Sequence, residues 1–145
     1  MSTAALVTWA CTVLAGLVLL IIWLMEYDRD YQTSAATRLP VPVISTHALL
    51  GMAGLLVWAF YLVTDEDRLA QITVADLAVV AVLGLIMAIR WIKVYREFAA
   101  PHSSQTRLVT VPPERHFPLA VIVIHGAFAF ATIGTVLFTV FFAES

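Results

Sequence analysis

Charge is what this sequence has least of. Asp, Glu, Lys and Arg make up only 12% of its 145 residues, against 61% hydrophobic, a balance that does not suit a small domain dissolved in water. The net charge is −2, and no basic stretch alternates with exposed aromatics, so nucleic acid is not an expected partner. Cysteine is represented once, by Cys11, which rules out an intramolecular disulfide and a cysteine-built metal cluster. The chain also lacks a C-x-x-C-H haem-attachment motif, a Ser-His-Asp arrangement, a phosphate-binding glycine loop and a zinc-protease pair. An enzyme acting alone is therefore not expected.

What is present is long uncharged runs. Residues 4–25 contain no charge and as a helix reach roughly 33 Å, enough for a hydrocarbon layer of about 30 Å. Met1 to Ala5 hold no Lys or Arg and no small-residue cleavage site follows the run, so it is expected to be a retained span and not a cleavable signal peptide. A second run lies between Arg38 and Asp65, with Pro40 and Pro42 at its start, where a first helical turn tolerates proline; it predicts a span over 41–63. Asp76 and Arg90 bracket a run too short to cross alone. Thr73 and Asp76 resemble a helix start, and Arg90 and Lys93 can lay their stems along a helix with their charges at the headgroups, so a third span is predicted over 73–95. The fourth covers 117–142, opened by Pro118 and interrupted by one ionisable residue, His125.

The expected fold is all-α: a polytopic membrane protein of four transmembrane helices forming a single domain over 1–145, built as two parallel-repeat helical hairpins, with an irregular loop over 96–116. Two Lys or Arg lie in the first loop (Arg29, Arg38), one in the second (Arg68) and five between Arg90 and Arg115. The positive-inside rule then makes loops 26–40 and 96–116 cytoplasmic and places both termini outside, in a multi-pass cell-membrane protein. Trp9, Trp23, Trp58 and Trp91 fall towards span ends, where an indole can meet headgroups or pack between helices.

Leu39–His47 reads LPVPVISTH and Phe117–His125 reads FPLAVIVIH; proline, Val-Ile and histidine align at one separation, 47 to 125. That is the mark of an internal repeat, and a parallel repeat implies a pseudo-two-fold axis along the membrane normal. His47 and His125 then share a depth, each seven residues past its proline, roughly 10 Å along the helix axis, which is expected to put both inside the cytoplasmic leaflet. One face of the second span carries His47, Gly51, Gly54 and Trp58; the matching face of the fourth carries His125, Ala129, Thr132 and Val136. Small residues let helix backbones approach closely, so Gly51, Gly54, Ala129 and Thr132 are expected packing positions, against each other or another protein's helix.

Three readings of the histidine pair stay open. Two neutral imidazoles at one depth can ligate a haem b iron axially, with Arg38, Arg90, Lys93 and Arg115 at the same membrane face for propionates. The pair can instead serve a proton relay or a quinone. Or each imidazole can simply bond a carbonyl or hydroxyl of a neighbouring helix, Thr46 or Thr132 being candidates. His102 and His116, with Arg107, Glu114 and Arg115, are expected in a solvated loop, since residues 99–114 hold three prolines, two serines and two threonines.

The stretch ERHFPLAVIVIHGAFA, Glu114–Ala129, resembles segments of small uncharacterised four-span membrane proteins of actinobacteria. The resemblance assigns no catalytic residue. It implies a context of accessory subunits in respiratory complexes or in the multi-subunit lipid-uptake transporters of mycobacteria. Membrane lipids and other membrane subunits are the expected partners, and a non-catalytic accessory subunit without a cofactor is the leading expectation, with a small b-type cytochrome as its alternative.

Overall fold

In a computed structural model of the chain, which describes residues 2–29, 37–99 and 111–142, the regular elements are all helical. They are α1 (Ser2–Arg29), α2 (Val41–Thr64), α3 (Asp67–Ala99) and α4 (Leu119–Phe142), with one turn of 3₁₀ helix at Pro113–His116 ahead of α4. All four helices are long and apolar enough to cross a membrane. The third, the shortest uncharged run, gives the longest helix, 33 residues against the predicted 73–95. Asp67 in its first turn and Arg96 in its last complement the partial charges of the helix ends, so α3 continues beyond its apolar middle on both sides.

Both members of the repeat start identically. The Pro40 carbonyl accepts the amides of Val43 and Ile44 at 2.9 and 3.2 Å, and the Pro118 carbonyl accepts those of Val121 and Ile122 at 3.0 and 3.2 Å. A fixed proline φ one residue before the helix presets the direction in which α2 and α4 each begin. At its other end α2 turns into α3 through Asp65, in the left-handed region at φ 54°, with its amide closing on the Tyr61 carbonyl at 2.8 Å.

α1 packs along α4 and α2 along α3; α1 touches α2 less, and α3 meets α4 only sparsely. The helices therefore run in cyclic order around the bundle, with α2 and α4 at opposite corners. Exchanging α1 with α3 and α2 with α4 maps one close pair onto the other, so the duplicated unit is a hairpin of two helices. The first helices of the two hairpins match at their own constant separation: Gly16 with Gly84, Trp23 with Trp91, Tyr27 with Tyr95. Trp23 stacks on Tyr27 with centroids 4.7 Å apart, and Trp91 tilts on Tyr95 at 5.2 Å.

The four tryptophans, expected to meet headgroups or to pack, do the second: none is more than 9% exposed. The Trp9 indole donates to the Gly51 carbonyl (3.0 Å), Trp58 to the Ser2 carbonyl (3.1 Å) and Trp23 to the Thr37 hydroxyl (3.3 Å). Where lipid is the solvent, apolar surface gains little by turning inward, and helices are held by close packing and interhelical hydrogen bonds. The outside is accordingly apolar, with Leu14, Leu49, Leu85 and Phe130 among its exposed side chains. The hydroxyls of Thr8, Thr12, Thr73, Thr132, Thr135 and Thr139 donate to carbonyls one turn back, which satisfies them inside an apolar medium.

Gly54 is buried where α2 meets α1 and α3. A Cβ there would run into the Asp76 carboxylate and sit 2.6 Å from the Trp9 ring. Gly54→Ala is predicted to lower stability by about 1–3 kcal/mol through overpacking, whereas Gly134→Ala, whose added methyl meets nothing, should stay within about 0.5 kcal/mol. Thermal unfolding of both variants in one detergent checks the pair; equal midpoints would contradict the packing described.

Candidate functional site

His47 and His125 point into the bundle from its opposite corners. They line one cavity of about 500 Å³ between the helix pairs, bounded by Trp9, Leu77 and Thr132 at one end and by Trp23, Trp91 and Phe117 at the other. Their ring centroids lie 6.2 Å apart with the planes at 64°.

Each ring is fixed in the same way by the other helix of its pair. The Nδ1–H of His47 donates to the Val80 carbonyl on α3 at 3.1 Å, and that of His125 to the Thr12 carbonyl on α1 at 2.9 Å. A carbonyl oxygen only accepts, so Nδ1 carries the proton in both rings, and in the neutral imidazole Nε2 keeps its lone pair. Within an α-helix the same carbonyl also accepts the amide four residues on, and in both cases that residue is glycine: Gly84 after Val80, Gly16 after Thr12. A Cβ on either would stand 3.0 Å from the imidazole Cε1. Glycine is what lets the ring reach a carbonyl already used within its own helix.

The small residues expected to pack surround this cavity. Gly51 and Ala129, one turn from each histidine, both line it, as does Gly126, and a Cβ at Gly51 or Gly126 would meet nothing. Gly54 lies one step further, against Asp76 and Trp9. Thr132 is buried, and its hydroxyl oxygen lies 3.3 Å from that of Thr12, where α4 packs against α1. These faces turn inward, towards each other. The hydrogen-bond partners proposed for the rings, Thr46 and Thr132, are replaced by backbone carbonyls.

The four cations expected near the pair do not line its cavity. Arg38 forms a two-pronged ion pair with Glu97, one of its bonds 3.0 Å long, and that carboxylate holds the guanidinium above its ordinary pKa, so Arg38 stays charged. Arg115 lies over the Tyr95 ring at 5.0 Å, and Arg90 donates to the Arg38 carbonyl at 3.0 Å. Trp91 lines the cavity near this end, and its indole N–H is buried without an acceptor among the described residues.

Part of the third loop departs from expectation. Glu114 is fully buried; its carboxylate accepts the Arg38 amide at 2.7 Å and the Thr37 hydroxyl at 3.1 Å. Pro112 and Pro113 are buried beside it, and the 3₁₀ turn rests on α1 and α3, so the segment folds back over the bundle end. Composition pointed to solvent; a rigid proline turn with an acidic side chain to satisfy donors of the first loop needs the opposite. Acceptance from these two donors explains the position. His116 is half exposed, with Nδ1 3.9 Å from Glu26, while His102 and Arg107 lie outside the described residues.

Sequence reasoning found the histidines and missed what holds them: Gly16, Gly84, the carbonyls of Thr12 and Val80, and Trp91. One signal was available, since the Gly16–Gly84 separation equals that of Trp23–Trp91 and Tyr27–Tyr95. Among the described residues no group of three or more His, Cys, Asp or Glu could hold a metal ion. No protein-family model matches this chain, and neither a curated protein nor a solved structure resembles it closely enough to count as a match.

The tautomer is directly testable. Nitrogen NMR of histidine-labelled protein in detergent should show two buried rings with a protonated Nδ1 and a bare Nε2. The reverse pattern for either ring would break the carbonyl bond described for it.

Proposed function

We propose that this chain is a small membrane cytochrome that holds one haem b between His47 and His125 and carries electrons within the bilayer. The observation that carries this is the spacing of the rings. With a metal–nitrogen bond of about 2.0 Å and each nitrogen roughly 1.1 Å from its own ring centroid, a metal held between two imidazoles would set their centroids about 6.2 Å apart; the observed distance is 6.2 Å. Two imidazoles alone are too few ligands for a bare ion, so a metal held by His47 and His125 would need a macrocycle to supply the rest.

Further features agree. A carbonyl bond at Nδ1 fixes the orientation and tautomer of a ligating histidine and increases its basicity. The cavity wall between the rings is largely apolar and thinned by Gly51 and Gly126. The unpaired Trp91 indole N–H, two helical turns beyond Gly84, is a donor suited to a porphyrin carboxylate. His47 and His125 would hold the haem, which would supply one-electron transfer.

The same hydrogen bonds count against the quinone and proton-relay readings. Both Nδ1–H donors are engaged by backbone carbonyls, so neither neutral ring has an N–H left for a quinone oxygen, and a proton relay would have to work through Nε2 alone.

A reduced-minus-oxidised visible spectrum of the protein expressed with haem available tests the proposal. A Soret shift with an α band is expected, His47→Ala and His125→Ala should each abolish it, and added imidazole should restore part of it. A colourless wild type overturns the assignment.

An accessory subunit of a respiratory complex or lipid-uptake transporter is a separate proposal. It now draws on the short loops, because the glycine and threonine faces turn inward; stoichiometric co-purification in mild detergent is its test. For orientation we propose that the end carrying Arg38 and Glu114 faces the cytoplasm of the cell, from the seven cations on that side. In a Cys11→Ser background, a membrane-impermeant maleimide added to intact cells should label Glu66→Cys and spare Val111→Cys; the opposite pattern reverses the topology.

A further inference from the structure

On the outer face of α3, away from the histidines, a groove of about 420 Å³ runs along Ile86, Ile89 and Val94 and is flanked by Arg38, Arg90 and Lys93. Ile86 and Ile89 are exposed on the surface that lipid would cover. The cations are arranged and not merely scattered. Arg90 and Lys93 stand one turn apart on α3, Arg90 is anchored by its bond to the Arg38 carbonyl, and Arg38 is held by Glu97. Three cations against two carboxylates, Glu97 and Glu114, leave the groove positive at the bundle end, where the apolar part of α3 gives way to charge.

We infer that this groove binds the headgroup of an anionic phospholipid, its phosphate among Arg90, Lys93 and Arg38 and an acyl chain along Ile89 and Ile86. Charge complementarity selects the headgroup: basic sites at the membrane-water boundary attract anionic lipid, by roughly 1 kcal/mol per cation. The apolar floor selects a lipid over a free anion, because inorganic phosphate cannot use Ile86 or Ile89. Lys93 is the discriminating residue, since its ammonium supplies charge to the groove while Arg90 and Arg38 also have structural bonds to keep. The site is separate from the histidine cavity and does not depend on what that cavity holds.

Native mass spectrometry of the full chain in mild detergent, with phosphatidylglycerol and phosphatidylcholine of matched chains, tests this. The wild type should retain one phosphatidylglycerol in preference to phosphatidylcholine. Lys93→Gln should weaken that preference roughly fivefold and Arg90→Gln with Lys93→Gln about 30-fold, while Arg68→Gln at the opposite end changes nothing. Lys93→Gln leaves the Arg90 contact in place, so its result does not depend on the double variant folding. Equal retention of both lipids, or an unchanged preference in Lys93→Gln, overturns the assignment. Displacement of phosphatidylglycerol by millimolar inorganic phosphate overturns it in favour of a free-anion site. Loss of a haem spectrum in the variants with lipid retention intact would assign the cations to the cavity and also overturn it.

Discussion

Two hydrogen bonds from imidazole to backbone carbonyl, His47 to Val80 and His125 to Thr12, set the terms for the rest of the bundle. In hydrocarbon an ionisable ring without a partner is expensive, and each ring finds its partner on the helix it packs against most closely. The carbonyls are already engaged within their own helices, so the approach works only where the residue one turn on has no side chain. Gly16 and Gly84 meet that condition. Their absence of Cβ permits the close pairing of α1 with α4 and of α2 with α3, and it leaves both Nε2 atoms uncommitted by these bonds in a shared cavity.

The ends of the bundle are closed by different means. At one end Trp9 and Trp58 bond to the backbone of α2 and α1 respectively, inside a cluster with Ala5, Ala70, Leu77 and Val136. At the other, a buried carboxylate takes the place of tryptophan–backbone bonds. Glu114 gathers the Arg38 amide and the Thr37 hydroxyl, and Thr37 in turn accepts the Trp23 indole. This chain links the segment before α4 to the one before α2 and sets the ends of both helices that carry the histidines. A buried charge is tolerated only when hydrogen bonds surround it, which is why an acidic residue in a proline-rich segment turns inward here.

A bundle held this way has a chemical consequence. Backbone carbonyls hold both imidazoles by Nδ1 and leave each Nε2 as an acceptor beside a largely apolar wall. Of the four cations expected near the histidines, Arg38, Arg115 and Arg90 are engaged outside the cavity with Glu97, Tyr95 and the Arg38 carbonyl. The cations of this end thus lie outside the histidine cavity, three of them beside the groove on α3.

Hydropathy and the proline positions sufficed for four membrane helices, because long uncharged runs have few other solutions. The repeated proline, Val-Ile and histidine spacing sufficed to pair His47 with His125. Local pattern could not reveal which helices pair, because apolar faces of similar composition pack equally well in any order until interhelical hydrogen bonds choose. It could not show that the carbonyls of Thr12 and Val80 hold the rings, since every residue has a carbonyl and only a three-dimensional approach singles one out. Nor could it show that Glu114 is buried, as composition records polarity and not the donors waiting across the fold. The sequence by itself determined the helices, the duplication and the histidine pair; the tertiary structure decided their partners, their orientation and the 6.2 Å between them, because those depend on contacts between residues far apart in the chain.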